Sequence, residues 1–183
     1  GLWARLLGLP WRSAAGSASI MNDVQAAIAI QMGLWGCLMA GSTVIIHAAG
    51  WLEGGLTVYY EKNGTDAEVL NMIAELCAGA QAGPDEIGFD NALSQVAPSG
   101  HFFDAPQTME RYNTAFYEPI VHDYANFGTW TDRGALDANT RATKVWQDIL
   151  AADVRPAVDE TRLEALRAFI ARRTQEGGAP PES

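Results

Sequence analysis

Cysteine is scarce in this chain, with two in 183 residues, Cys37 and Cys77. Both stand in apolar, helix-like surroundings without CxxC or zinc-type spacing. A disulfide framework and a cysteine metal site are therefore set aside, and reduced thiols suit a cytoplasmic location. Basic side chains are also few: 12 Lys and Arg stand against 22 Asp and Glu, a net charge of −10. Such a balance repels phosphate backbones and excludes nucleic acid as a partner. No P-loop, dinucleotide fingerprint, nucleophile elbow or zinc motif occurs, and no bound metal is expected.

Charge is missing altogether between Asp23 and Glu53. That run is long enough for a membrane helix. However, Gly33, Gly36, Gly41 and Gly50 interrupt it, Ser42-Thr43 punctuates it, and basic flanks are lacking. These features argue against a span. An initiator methionine is absent too, and Gly1 to Leu7 reads as the inside of a helix, so the chain is expected to be a fragment.

What is present is the composition of one folded domain, 48% hydrophobic and 19% charged. Residues 2–7 predict a helical end, stopped by Gly8 and Pro10. Pro10 to Ala14 predicts a short strand, followed by the small-residue loop Ala15 to Ser19. A helix capped near Ser19 or Asn22 runs to Gly41. Ile28, Ile30, Met32, Leu34, Trp35, Leu38 and Met39 ring it almost completely, which calls for cover on several sides and points to self-association. Thr43 to Ala49 predicts a buried strand. Thr65-Asp-Ala-Glu68 fits a capping box opening a helix with an apolar stripe of Val69, Met72, Ile73 and Leu76. This βα alternation predicts an α/β fold with a parallel sheet. Beyond Gly79 the pattern turns helical: Ile87 to Val96, a helix opening at Thr108, and caps at Asp123, Asp137 and Asp159.

The candidate chemistry gathers in His47-Ala-Ala-Gly-Trp-Leu-Glu-Gly-Gly-Leu56. His47 is either a satisfied histidine ending a buried strand or part of a site. The flanking glycines favour close approach of a ligand to the backbone. Trp51 either caps the sheet or binds a quaternary ammonium on its face. Glu53 either balances such a cation or pairs with Arg12 or Lys62. Tyr59 and Tyr60 would point opposite ways on a strand, so at most one lines the same cavity. Glu61-Lys62 is expected to be an ion-pair step, and Asp66 a helix-start carboxylate. His101, in Pro98-Ser-Gly-His-Phe-Phe103, is a second candidate, while His122 is expected at the surface.

Read in order, Leu6-Leu-Gly-Leu-Pro10, Asp23-Val-Gln25, His47 to Leu56, Glu61-Lys62 with Asp66 and Glu68, and Gly100-His-Phe102 with Thr108 resemble the C-terminal part of the trimethylamine methyltransferase family. The resemblance runs from about Leu6 to Arg173. It implies the last portion of a TIM (β/α)8 barrel in residues 1–80, a helical C-terminal extension in 81–173, and a disordered tail in 174–183. It also implies methyl transfer from a methylated amine to the cobalt of a corrinoid (cobalamin) carried by a separate small protein. Without a noncanonical residue, a quaternary amine such as glycine betaine is the expected donor, with trimethylamine as a further possibility. In that scheme His47 and Glu53 are the catalytic residues, and Trp51, Tyr59 and Arg12 bind substrate. His101, Gly50 and Gly54 face the corrinoid. The expected partners are the small amine, the corrinoid protein and a second copy of the chain. Two alternatives stay open: a non-catalytic betaine-binding relative, and a helical self-association module.

Overall fold

In the chain's first half, the segment Arg12-Ser-Ala14 and the apolar segment Val44-Ile-Ile46 find each other across a long helix. The computed structural model describes residues 1–154 and 156–178. β1 (Arg12–Ala14) lies parallel to β2 (Val44–Ile46), with Arg12 opposite Val44 and Ala14 opposite Ile46. The crossover is α2 (Val24–Met39). Its N-cap is Asp23, whose carboxylate accepts the Ala26 N–H at 3.2 Å. The caps expected at Ser19 and Asn22 are therefore not used. The Ser19 hydroxyl instead donates to the Met21 carbonyl at 2.9 Å.

The core forms where α2 meets this strand pair. Ala15, Ile30, Leu34 and Val69 are buried together, with Ile45, Ala48, Leu70 and Ile73 packed against them. Gly33 makes the approach possible, since a Cβ there would lie 2.8 Å from the Ala15 Cα. A second, antiparallel pair, β3 (Trp51–Leu52) with β4 (Thr57–Val58), closes a hairpin around Glu53 to Leu56.

α3 (Tyr60–Ala78) then packs against α2. It starts five residues before the expected capping box. The Thr65 hydroxyl donates to the Lys62 carbonyl at 3.1 Å inside the helix, so Thr65-Asp-Ala-Glu68 caps nothing. Of the expected apolar stripe only Val69 is fully buried, and Leu76 stands 59% exposed.

Helices dominate the remainder. α1 (Leu2–Leu7) precedes β1, and α4 (Pro84–Ile87), α5 (Pro106–Arg111), α6 (Phe127–Asp132) and α7 (Ala138–Ala151) follow α3. Asn126, not Asp123, caps α6, accepting the Thr129 N–H at 3.1 Å. Asp123 instead takes the Ala125 N–H at 2.8 Å in a local turn. Asp137 accepts the Thr140 N–H at 2.7 Å at the start of α7. By compactness the chain divides into residues 1–149 and 150–183. The second unit holds α8 (Glu160–Gln175), capped by Asp159 through the Arg162 N–H at 3.1 Å and laced by an Arg167–Glu160 pair at 3.1 Å. The tail expected at 174–183 begins inside α8, and residues 179–183 lie outside the described residues.

The architecture corrects the expected fold class. Among the described residues the structure is 53% helix and 6% strand, in two separate two-stranded sheets, and no barrel closes. Neither the α/β class nor the TIM-barrel portion holds. One β–α–β unit does form, but nothing extends it. After Gly79 the chain offers no further run of β-branched residues long enough to add a parallel strand, and its glycines, prolines and helix caps carry it into turns and short helices. No helix among the described residues is long and apolar enough to cross a membrane.

Candidate site at the His47 to Glu53 loop

β2 ends at Ile46, and the chain then turns out of the extended region. His47 has φ 54° and Glu53 φ 51°. Among the described residues four non-glycine positions have positive φ, and two of them are these. Side chains rarely adopt this conformation, which costs about 1–3 kcal/mol at each such position and persists only where the surroundings enforce it.

The enforcement is visible on both sides. The Glu53 N–H donates to the Ser19 carbonyl at 2.9 Å, and the Gly54 N–H to the Ser17 carbonyl at 3.0 Å. The loop after β1 thus holds the loop after β2, and both leave the carboxyl ends of parallel strands, where open sheets place ligands. Ser17 and Ser19 are fully buried beneath this junction. On the other side the buried Gly50 donates its N–H to Asp66 Oδ2 at 2.9 Å, while its carbonyl accepts the Tyr59 N–H at 2.9 Å.

On this frame the His47 and Trp51 rings meet at 4.4 Å between centroids, tilted by 44°. The imidazole therefore occupies part of the indole surface expected to face a cation. Gly55 lies against the same indole, where a Cβ would come within 3.2 Å of Cε3. Glu53 is exposed, and its Oε2 accepts the Thr57 hydroxyl at 2.6 Å. It pairs with neither Arg12 nor Lys62.

The structure thus gathers His47, Gly50, Trp51, Glu53 and Gly54, with Tyr59 entering through its backbone. Arg12 stands apart: it heads β1, at the strand end opposite the one from which the loops leave. His101 sits on a separate exposed loop, with Nδ1 3.4 Å from Asp104 Oδ1 and its ring 5.3 Å from Phe103.

Charged groups inside the fold escaped the sequence reading. Lys62 Nζ and Asp66 Oδ1 are 2.7 Å apart, and both side chains are buried. Burial pushes the Asp66 carboxyl above the ordinary carboxylate range, against the opposing pull of Lys62 and the Gly50 amide. Glu68 is buried as well, accepting the Tyr117 hydroxyl at 2.6 Å and the N–H groups of Val121 and His122. Burial opposes ionisation of Glu68, yet these hydrogen bonds outweigh it and hold the carboxyl below its ordinary value. Burial and the Glu68 charge push the Tyr117 hydroxyl up to about 12. Glu61 accepts the Trp146 indole N–H and the Thr143 hydroxyl, each at 2.9 Å, tying α3 to α7. The i, i+4 spacing of Lys62 and Asp66 was the available signal for a pair on one helical face.

The family model described as Trimethylamine methyltransferase (MTTB) matches residues 1–178. The chain belongs to the trimethylamine methyltransferase family. It is 34% identical over 176 residues to a glycine betaine methyltransferase of Desulfitobacterium hafniense (strain Y51), covering 96% of this chain and 36% of that relative. A trimethylamine methyltransferase of the same species (strain DSM 10664 / DCB-2) is 25% identical over 176 residues, covering 96% of this chain and 35% of its own length. Trimethylamine methyltransferase MttB2 of Methanosarcina mazei is 27% identical over 134 residues, which is 72% of this chain and 26% of that protein. The chain therefore spans about a third or less of these family members.

Proposed function

We propose that this chain contributes to a methyltransferase that takes a methyl group from a quaternary amine, glycine betaine being the leading candidate, and delivers it to the cobalt of a corrinoid on a separate protein. The reading is carried by one juxtaposition: an aromatic face and an exposed carboxylate, Trp51 and Glu53, on a loop anchored from two sides at the carboxyl ends of two parallel strands. The glycine betaine methyltransferase among its relatives supports the choice of donor.

The chemistry suits these residues. A tetraalkylammonium has no N–H to donate, so a site holds it by aromatic faces and negative charge. On transfer the methyl carbon leaves nitrogen, whose bonding pair stays behind as the lone pair of a tertiary amine. No proton moves, so no general acid or base is needed. The reduced corrinoid supplies the nucleophile, and the chain's share is to bind and orient the amine. In this reading Trp51 presents its open indole surface to the cation and Glu53 balances its charge. His47, packed on the indole, sets the width of the face and lies near the substrate carboxylate.

Titration calorimetry of the protein with glycine betaine, trimethylamine and glycine tests this. Glycine betaine is expected to bind, glycine to fail, and Trp51→Leu to weaken binding about tenfold, as loss of one cation–π contact implies. Absence of heat with every methylated amine would remove the reading. Binding without methyl transfer to a reduced corrinoid would restrict the function to ligand capture.

A further inference from the structure

We infer that Asp66, braced by Lys62, is the positioning residue of the His47 to Glu53 loop. This role presupposes the methylated-amine reading of that loop and adds the group that sets its geometry.

Burying an ion pair is costly, and well-packed apolar residues of similar size commonly serve stability as well or better. What an apolar pair cannot do is accept an N–H. Asp66 uses its two oxygens differently: Oδ1 takes Lys62 Nζ at 2.7 Å within the helix, and Oδ2 reaches out to the Gly50 N–H at 2.9 Å. Gly50 lies midway along the loop, three residues after His47 and three before Glu53, the two positions with φ near 50°. Its own φ is 79°, so it is a glycine by requirement. With the Tyr59 N–H on its carbonyl at 2.9 Å, the Gly50 residue is held at both polar groups, by the N-cap of α3 and by Asp66 within that helix. The opposite anchors, at the carbonyls of Ser17 and Ser19, engage only the Glu53 end. On that side the Ala15 N–H holds the Ile46 carbonyl at 3.1 Å and Gly16 packs beside His47, which fixes where the loop begins, while the bond to Asp66 fixes its middle at Gly50. Lys62 completes the device because an ionised carboxylate accepts an amide more strongly than a neutral one, and charge in a buried site needs its counter-charge.

Amide hydrogen exchange and the His47 ring resonances read this role without any ligand. The informative variants are Asp66→Asn, whose carbonyl still accepts, and the double variant Lys62→Met/Asp66→Leu, which removes both buried charges together and so avoids an orphaned ion. In the double variant the Gly50 amide is expected to lose about 100-fold protection, and Asp66→Asn about tenfold, while Ile30 and Leu34 in the core keep theirs. The His47 ring signals should move away from their indole-shifted positions, and glycine betaine binding should weaken at least about tenfold. Unchanged Gly50 protection in the double variant overturns the role, as does parallel loss at Ile30 and Leu34, which marks general destabilisation. Wild-type protein that binds no methylated amine, yet shows the Gly50 and His47 changes, refutes the ligand reading alone and leaves Asp66 as the residue that positions the loop.

Discussion

α2 and α3 pack together, are of similar length and have opposite compositions, and each departs from what its composition suggests. α2 contains no charged residue, yet it buries a single stripe, Ala26, Ile30, Leu34 and Cys37, and leaves Val24, Ile28, Met32 and Met39 exposed. α3 is rich in charge, yet Lys62, Asp66 and Glu68 are among its most buried side chains while Leu76 is exposed. The difference shows that burial here follows what neighbouring backbone requires. The strand pair beside α2 has its hydrogen bonds in place and needs only apolar cover. The segments beside α3, around Gly50 and at Val121-His122, are irregular, and their N–H groups need acceptors. Buried amides are seldom left unpaired, and carboxylates from α3 provide the partners.

The largest effect should come from breaking that provision. Glu68→Ala strands the N–H groups of Val121 and His122 and the Tyr117 hydroxyl at once. The expected loss is about 3–5 kcal/mol in urea unfolding, from unsatisfied donors rather than lost packing. Glu68→Gln, which keeps an acceptor oxygen, should cost about half as much. A loss under about 1 kcal/mol for the alanine variant would mean that the irregular segments are held by something other than α3.

A pair of substitutions on α2 sharpens the other side. A Cβ at Gly33 would meet the Ala15 Cα at 2.8 Å, while at Gly36 nothing lies within 4 Å. Gly33→Ala is therefore expected to destabilise by about 1–3 kcal/mol, since backbone has to give way. Gly36→Ala should stabilise by up to about 1 kcal/mol through helix propensity alone. Thermal melts of the two proteins should move in opposite directions. Equal shifts would mean that α2 does not pack on β1 through its glycine face.

The sequence made α2 more legible than α3, and the reason is physical. A long uncharged apolar run followed by a β-branched run and glycines is a local signal, so α2, the strand Val44–Ile46 and the loop beginning at His47 could be read directly. Burial of Asp66 and Glu68 depends on amides that come from 16 and more than 50 residues away, and no local pattern announces them. Their charge instead suggested a helix start, which displaced α3 by five residues. The same limit explains the fold class. One strand–helix–strand unit implied a sheet that the later sequence does not continue, and the family's architecture was carried onto a chain whose described residues form two short strand pairs. At the candidate site, the grouping of His47, Trp51 and Glu53 was visible because it is local. The separation of Arg12 and His101 from it was not, because it depends on where strand ends fall.

A smaller effect belongs to the Tyr117–Glu68 bond. Tyr117 titrates near 12 in the fold against an ordinary value of 10, raised by burial and by Glu68. A raised value contributes stability that is complete below pH 10 and disappears as the pH climbs through 12. Glu68, held low, contributes stability present above its ordinary value of 4.5 and lost as the pH falls through the lower folded value. Tyr117→Phe should cost about 1–2 kcal/mol at neutral pH, as for one charge-assisted bond, and flatten the alkaline decline. Unfolding free energies measured from pH 3 to 11 would show it. An alkaline limb that survives in the phenylalanine variant would assign the decline to another group.

The smallest effect is expected on the outer face of α2, where it completes the contrast with α3. Met32 is 68% exposed and Met39 80%. Removing apolar surface that water already reaches gives up almost no burial energy, so Met32→Gln and Met39→Gln should each alter unfolding free energy by less than about 0.5 kcal/mol. That is several-fold below the cost of removing one buried carboxylate from α3. The substitutions should act on association instead, because exposed apolar stripes promote contact between molecules. Sedimentation velocity at rising concentration should show the glutamine variants self-associating less than the wild type while their unfolding curves superimpose. A loss of stability comparable to that of Glu68→Ala would reverse the contrast, placing the exposed methionines, and not the buried charges, at the centre of what holds the two helices in place.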